Sequence, residues 1–382
     1  MSFSSLGLSV ALLKVINEQN YKSTYPIQKE VIPAILKGDD VLGIAKTGSG
    51  KTASFVLPIL ELLQRQILPT KNRHVKVLVM VPTRELADQV HSTFVLLGQY
   101  LPDKFKSLAI YGGVSINPQM IALQGVDILV ATPGRLLELV DSNAVSLSSV
   151  QVLVLDEADK MLNLGFKEEM TSVLGMLPAK RQTLLFSATL SSDLSFFQEN
   201  LLRAPRVIKV EEAQDFNLDL IKQTVYLVSQ KKKGPLLRYL IKKNDLQQVL
   251  VFTSSVHRAD AVAVKLNSNG ISAMAIHSKQ SQGKRTSALR QFKSGQLRVL
   301  VATDLMARGI DIKSLPCVIN YELPRSPKDY IHRIGRTGRA ETPGWAVAIV
   351  SQEEEHHFKV IQKKMGRIAS RVDGNDLNLQ GF

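Results

Sequence analysis

Short runs of Val, Ile and Leu recur along the chain, each followed by a longer segment with apolar residues at helical spacing. In the first half they fall at 41–45, 75–81, 126–131, 150–155, 183–186 and 206–210. In the second they fall at 224–228, 249–252, 298–302, 318–321 and 345–350. Most are nearly continuous in apolar character and do not alternate, which is the mark of strands buried on both faces. The pattern predicts an α/β chain with two mostly parallel sheets, each covered by helices on both faces. At 382 residues the chain is too long for one ordinary domain and comfortable for two. The polar stretch 213–221 is the expected linker, between a first domain at 1–212 and a second at 222–382. Ligands of parallel sheets bind beyond the carboxyl ends of the strands, and most of the polar motifs directly follow one of these runs.

Three of those motifs carry chemistry. After the run at 41–45 comes Lys46-Thr-Gly-Ser-Gly-Lys-Thr52, then an apolar helix expected over 53–63. Backbone N–H groups of Thr47, Gly48, Ser49 and Gly50, with the helix N-terminus, offer donors to phosphate oxygens. Lys51 can reach a terminal phosphate and the Thr52 hydroxyl can ligate Mg²⁺. Ala45 stands where the general phosphate-loop pattern has its first glycine. Asp156 and Glu157 end the run at 150–155, where Asp156 can hold the metal and Glu157 can orient or deprotonate water. The third motif, His332-Arg-Ile-Gly-Arg-Thr-Gly-Arg339, sets three arginines among two glycines. That spacing is read as converging guanidiniums on a reacting phosphate and not as a buried structural arginine; a generic RNA-phosphate patch is the competing reading.

Charge adds a partner. Residues 1–212 carry 21 Lys+Arg against 20 Asp+Glu, and residues 213–382 carry 27 against 14. The second half therefore faces a polyanion more readily than the first. Cys317 is the only cysteine, so no disulfide can form within the chain, which suits a reducing cytoplasm. No apolar run approaches the length of a membrane span, and the N-terminus lacks the pattern of a signal peptide. Glu353-Glu-Glu-His-His357 could pass for a metal cluster, but a negatively charged helix start explains it better.

Together the motifs closely resemble those of DEAD-box RNA helicases, over residues 3 to about 350. Beside Asp156-Glu-Ala-Asp159 stand Pro82-Thr-Arg-Glu-Leu-Ala87, Thr132-Pro-Gly-Arg135, Ser187-Ala-Thr189, Ala302-Thr-Asp304, Ala307-Arg-Gly-Ile-Asp311 and His332-Arg-Ile-Gly-Arg-Thr-Gly-Arg339. Gly112-Gly-Val-Ser-Ile-Asn-Pro-Gln119 also resembles the bacterial RhlE-type branch. The resemblance implies two tandem RecA-like domains with the active site in the cleft between them. It implies a Q motif in which Gln28 reads adenine and Tyr21 stacks on it, with Phe3 as the upstream aromatic, so that the fuel is ATP with Mg²⁺. Arg336 and Arg339 match the arginine fingers. His332 would couple the second domain to Asp159, Ser187 and Thr189, and Gly309 and Asp311 would meet the ribose. Departures are Asn20, Thr24 and Tyr25 in the Q motif, Lys46, Ser278, Met306 and Glu341-Thr342; none removes a group the chemistry needs.

For RNA the resemblance implies contacts from Thr83, Arg84, Gly113, Thr132 and Arg135 in the first domain, and from Gln282, Arg285 and Thr303 in the second. Arg135 has a structural alternative, capping a local helix. Aromatics make up 6% of the chain and none interleaves with these basic residues. Binding is therefore expected to run through the backbone, independent of sequence and sensitive to salt. The expected activity is RNA-dependent ATP hydrolysis with local, non-processive unwinding by a monomeric core. The rivals are an RNA clamp or annealing factor, an ATP-driven DNA translocase, and an idle scaffold. Lys51, Glu157, Arg336 and Arg339 speak against the scaffold, and Asp156–Asp159 with Gln28 against DNA. Ribosome-assembly and RNA-decay factors are the partner classes considered; no residue names the RNA.

Overall fold

The near-continuous apolar runs became strands lying between two neighbours, except 206–210, which forms an edge. The computed structural model describes residues 2–45, 49–65, 73–189, 198–210, 218–304, 315–338 and 343–382. The chain divides into two compact units, Met1–Ala213 and Gln214–Phe382.

The first unit contains helices α1 (Val10–Glu18), α2 (Pro26–Leu36), α3 (Lys51–Arg65) and α4 (Arg84–Gly98). They are followed by α5 (Ile116–Ala122), α6 (Pro133–Asp141), α7 (Ala158–Asn163) and α8 (Lys167–Gly175). Its strands are β1 (Val41–Ile44), β2 (Val77–Met80), β3 (Ser107–Ile110), β4 (Ile128–Ala131), β5 (Val152–Leu155), β6 (Gln182–Ser187) and β7 (Arg206–Lys209). They pair in parallel in the order β3-β4-β2-β5-β6-β1-β7.

In the second unit the helices are α9 (Lys233–Lys243), α10 (Val256–Asn267), α11 (Gln282–Lys293), α12 (Pro327–Ile334) and α13 (Glu355–Met365). The strands are β8 (Ile221–Leu227), β9 (Val249–Thr253), β10 (Ala273–Ile276), β11 (Val299–Thr303), β12 (Cys317–Asn320), β13 (Gly344–Val350) and β14 (Ser370–Asp373). Their parallel order is β10-β11-β9-β12-β13-β8-β14. Counted from each unit's own first strand, both sheets run 3-4-2-5-6-1-7: the chain carries one topology twice, two tandem RecA-like units.

Three strands escape the apolar pattern, and all lie at or beside a sheet edge. β3 is only partly buried, β14 is mostly exposed, and β10 is built on two alanines. An edge strand needs fewer apolar side chains, so its pattern is weak.

The sheets are packed on both faces. In the first unit one face gathers Phe55, Val79, Val154 and Phe186, and the other Leu78, Leu129, Leu153 and Leu185. Alternate residues of the same strands thus feed opposite layers. Fully burying one such side chain is worth about 1.5–3 kcal/mol. Phe55 on α3 meets Phe186 on β6 at 5.4 Å between centroids, which ties the helix behind the phosphate loop to the sheet centre. At the opposite end buried Asp40 accepts from Thr183 N at 2.7 Å and Arg203 N at 2.8 Å, fixing β6 and the approach to β7.

Candidate nucleotide and RNA site

Register decides what meets at the top of the first sheet. Met80 pairs with Leu155, Leu155 with Leu185, and Ile44 with Ser187. The carboxyl ends of β1, β2, β5 and β6 therefore lie side by side, with Ser187 closing β6 and the phosphate loop, Thr83 and Asp156 following β1, β2 and β5.

Gly50 has φ +85 and leads directly into α3, whose first residue is Lys51. Lys51 is 6% exposed, and its Nζ donates to the Ala45 carbonyl at 2.6 Å. Burial pushes the Asp156 carboxyl up to about 6; Lys51 and Lys160 pull against that rise and Glu157 adds to it. One Asp156 oxygen accepts from Glu157 N at 2.9 Å. Glu157 itself sits in the left-handed region at φ 54, ψ 45, a conformation costing a non-glycine residue about 1–2 kcal/mol. Its Oε1 accepts from Lys160 Nζ at 2.6 Å, while Oε2 is buried with no partner. Thr52 is half-buried on the first turn of α3.

The donor set fits a hard divalent cation. Asp156 is a buried carboxylate whose charge its own surroundings under-compensate, and Thr52 brings a hydroxyl on the first turn of α3. No group of three or more His, Cys, Asp or Glu suited to a metal occurs among the described residues.

The Q-motif residues sit beside this loop. Gln28, 2% exposed, accepts from Tyr25 N at 2.9 Å through Oε1 and donates to the Gly50 carbonyl at 3.2 Å through Nε2. A Cβ on Gly50 would lie 2.6 Å from Gln28 Nε2 and 2.9 Å from the Tyr25 ring, so the loop and the motif are one packed body. Phe3 is in the core and stacks on Tyr21 at 6.2 Å, backing its ring. Asp159 accepts from Thr189 Oγ1 at 2.9 Å, and Ser187 Oγ donates to the Thr189 carbonyl at 2.7 Å. The other Asp159 oxygen is buried without a partner. Thr47 and Gly48 lie outside the described residues.

The expected RNA residues of this unit form a second group. Thr83 caps α4 by accepting from Leu86 N at 3.3 Å. Arg84 Nη1 lies 3.5 Å from the Gly113 carbonyl. Gly113 has φ +73, and a Cβ there would fall 1.9 Å from Arg84 Nη2, so only glycine admits this approach. Thr132 precedes α6. Arg135 is 6% exposed, donates to Glu138 at 2.8 Å and to the Val114 carbonyl at 2.9 Å, and keeps a buried Nη1 with no partner. It braces the Gly113 loop from within.

At the top of the second sheet, Thr303 pairs with Thr253 at the ends of β11 and β9. Gln282 opens α11, and Arg285 one turn later donates to its Oε1 at 2.5 Å. The arginine motif needs a correction. Arg333, 2% exposed, forms a two-pronged pair with Asp304 at 2.5 and 2.8 Å, and donates to Asn320 Oδ1 at 2.9 Å and the Glu322 carbonyl at 2.6 Å. It is a buried anchor across β11, β12 and α12, the structural arginine that the spacing argument set aside. Asp304, directly after β11, is the signal the sequence offers. Arg336 is also buried, with its backbone N–H on the Arg333 carbonyl. His332 lies on α12. Gly309, Asp311 and Arg339 fall outside the described residues. The acidic run at 353–357 behaves as a helix start: Glu354 pairs with buried Lys233, Glu355 with Arg371, and His357 Nε2 lies 2.7 Å from the Pro324 carbonyl. Lys160 was missed altogether, although a lysine three residues after Glu157 on a helix is a legible pairing.

A family model described as DEAD/DEAH box helicase matches residues 25–197, and one described as helicase conserved C-terminal domain matches 232–341. The chain is 39% identical to the DEAD-box ATP-dependent RNA helicase CshA of Bacillus cereus, over 99% of this chain and 70% of that one. Against CshA of Geobacillus kaustophilus the identity is 40%, over 96% and 78%. Among solved structures it superposes on S. cerevisiae Dbp5 bound to RNA and ADP BeF3 with a TM-score of 0.83 at 29% identity, covering 98% of this chain and 96% of that one. A DEAD box protein from Methanococcus jannaschii gives 35% identity and a TM-score of 0.54, covering 98% and 99%. With two family models in order over the two units, and relatives near 40% identity along nearly its whole length, the chain belongs to the DEAD-box ATP-dependent RNA helicases.

Proposed function

We propose that this helicase separates short RNA duplexes locally and remodels RNA and RNA–protein assemblies, without processive translocation. One observation carries the chemistry: two adjacent buried carboxylates, Asp156 and Glu157, lie with Lys51 at the carboxyl ends of β5 and β1. Mg²⁺ held by Thr52 and Asp156 would neutralise charge on the phosphates. Lys51 leaves the Ala45 carbonyl for a phosphate oxygen, and Glu157 receives or orients the proton of the attacking water. Arg336 and Arg339 of the second unit complete the charge stabilisation, so hydrolysis needs groups from both units. His332 reports on that state through Asp159, Ser187 and Thr189, and Gly309 and Asp311 contact the ribose. Gln28 retains one lone pair and one N–H, a complement to the amino group and N7 of adenine, with Tyr21 stacked on the base and Phe3 behind it.

RNA passes over Thr83, Arg84, Gly113, Thr132 and Arg135, then Gln282, Arg285 and Thr303, through phosphate and 2′-OH contacts. The setting is the cytoplasm, and the core acts as a monomer. No helix among the described residues is long and apolar enough to cross a membrane. A clamp or annealing factor without productive unwinding would use the same residues.

The test is ATP hydrolysis with and without single-stranded RNA, beside Glu157→Gln, followed by release from short and long duplexes. RNA stimulation lost in the variant, with release of short duplexes only, is expected. Hydrolysis indifferent to RNA would sink the proposal, and RNA-stimulated hydrolysis without strand release would favour the clamp.

A further inference from the structure

We propose that Lys160 is a positioning residue for hydrolysis, holding one oxygen of Glu157 so that the other is presented to the attacking water. The inference rests on the reading of Glu157 as the group that handles that water. The pair is short, 2.6 Å between Lys160 Nζ and Glu157 Oε1, and withdrawn from solvent, with side chains 19% and 8% exposed. An exposed i,i+3 pair on a helix contributes little and is loosely held. A desolvated one fixes both partners, because either group left alone would be buried without a countercharge.

The geometry gives the carboxylate two unequal oxygens. Oε1 is occupied by Lys160; Oε2 is buried and has no hydrogen-bond partner. The left-handed backbone at Glu157 sets where the side chain starts, and the lysine sets where it ends. Without the lysine, rotation of the carboxyl group exchanges its two oxygens and the water loses a fixed acceptor. Such positioning matters at transition-state distance, where displacement by about 1 Å costs up to about a hundredfold in rate.

The neighbouring charges support the division of labour. Lys51, Asp156, Glu157 and Lys160 form two cations and two anions at one strand end, with Asp159 beside them. Lys51 is bonded to the Ala45 carbonyl and belongs to the phosphates once nucleotide arrives. Lys160 is held by the acid itself, so its geometry does not depend on the ligand.

The experiment compares wild type, Lys160→Gln, Lys160→Arg and Glu157→Gln at saturating RNA, reading kcat, KM for ATP and thermal stability. Lys160→Gln is expected to lower kcat by about tenfold, with KM and the half-stimulating RNA concentration within about twofold. Lys160→Arg should recover kcat to within about threefold, since it restores the cation. The doubly substituted Lys160→Gln/Glu157→Gln chain should bind ATP and RNA as Glu157→Gln does, which places the loss at the chemical step. If Lys160→Gln keeps kcat within twofold while Glu157→Gln is inactive, the role of Lys160 is overturned alone. If Lys160→Arg falls as far as Lys160→Gln, the pair is only structural and the inference fails. A fully active Glu157→Gln chain would overturn the assignment of Glu157, and this one with it.

Discussion

Asp156 and Glu157 are neighbours in sequence but are held in different ways, and the burial of Asp156 carries a testable consequence. Asp156 has its acid strength lowered by burial, so its folded pKa stands above the unfolded value, near 3.9. A group raised in this way favours the fold below the unfolded pKa and loses that contribution as pH rises through about 6. Thermal unfolding of the nucleotide-free protein should therefore show a fall in Tm from pH 5 to pH 7.5 that narrows in Asp156→Asn. The same variant should lose Mg²⁺-dependent hydrolysis. Cys317 lies on β12 in the core, and burial pushes its thiol up to about 12. A disulfide reagent should leave it untouched in the native protein at pH 8 and titrate one thiol per chain in denaturant. Reaction under native conditions would show that β12 opens. Arg333 makes a third case: replacing it with Ala strands the Asp304 carboxylate and Asn320, and should cost about 3–5 kcal/mol in denaturant unfolding. Spacing alone does not mark Arg333 as an anchor, because spacing records only where arginines stand along the chain. That Arg333 is the anchor depends on Asp304 and Asn320, delivered by two strands.

At the scale of elements, the loop after β3 and the start of α4 depend on each other. Gly113 holds a positive φ with the Arg84 guanidinium over it. Gly113→Ala should cost about 1–2 kcal/mol in backbone strain and displace Arg84. RNA affinity, read by titration, should fall by about tenfold while ATP affinity is kept. Loss of both affinities together would mean that the loop supports the whole unit. The strands that face this site were legible because β1, β2, β5 and β6 are buried on both sides and carry unbroken apolar runs. β3, β10 and β14 were not, because edge positions relax that demand. α3 was legible as an apolar helix and runs two residues beyond the expected span at each end.

For the molecule as a whole, charge is the quantity that acts at long range. The surplus of basic residues lies in the second half, while the expected RNA set includes three cations, Arg84, Arg135 and Arg285. If these carry the phosphate contacts, log affinity for single-stranded RNA should fall with log salt at a slope of about −2. A slope near zero would mean that hydrogen bonds from Thr83, Thr132, Gln282 and Thr303 dominate. A much steeper one would show that the general surplus of the second unit joins in. Arg135 decides part of this outcome, since two of its nitrogens are spent on Glu138 and Val114 and one remains.

By itself the sequence determined the class of fold, its duplication, the nucleotide loop and the order of motifs, because these rest on local pattern: apolar runs, glycine before lysine, acids at a strand end. It did not determine that Lys51 waits on the Ala45 carbonyl, that Gln28 is bonded to the loop it serves, or that Glu157 stands in a left-handed conformation with Lys160 on one oxygen. Nor did it show that Arg333 closes on Asp304. Those facts arise from register between strands distant in sequence and from burial, which sets the strength of every charge it encloses. They exist only once the sheet has brought its strand ends side by side.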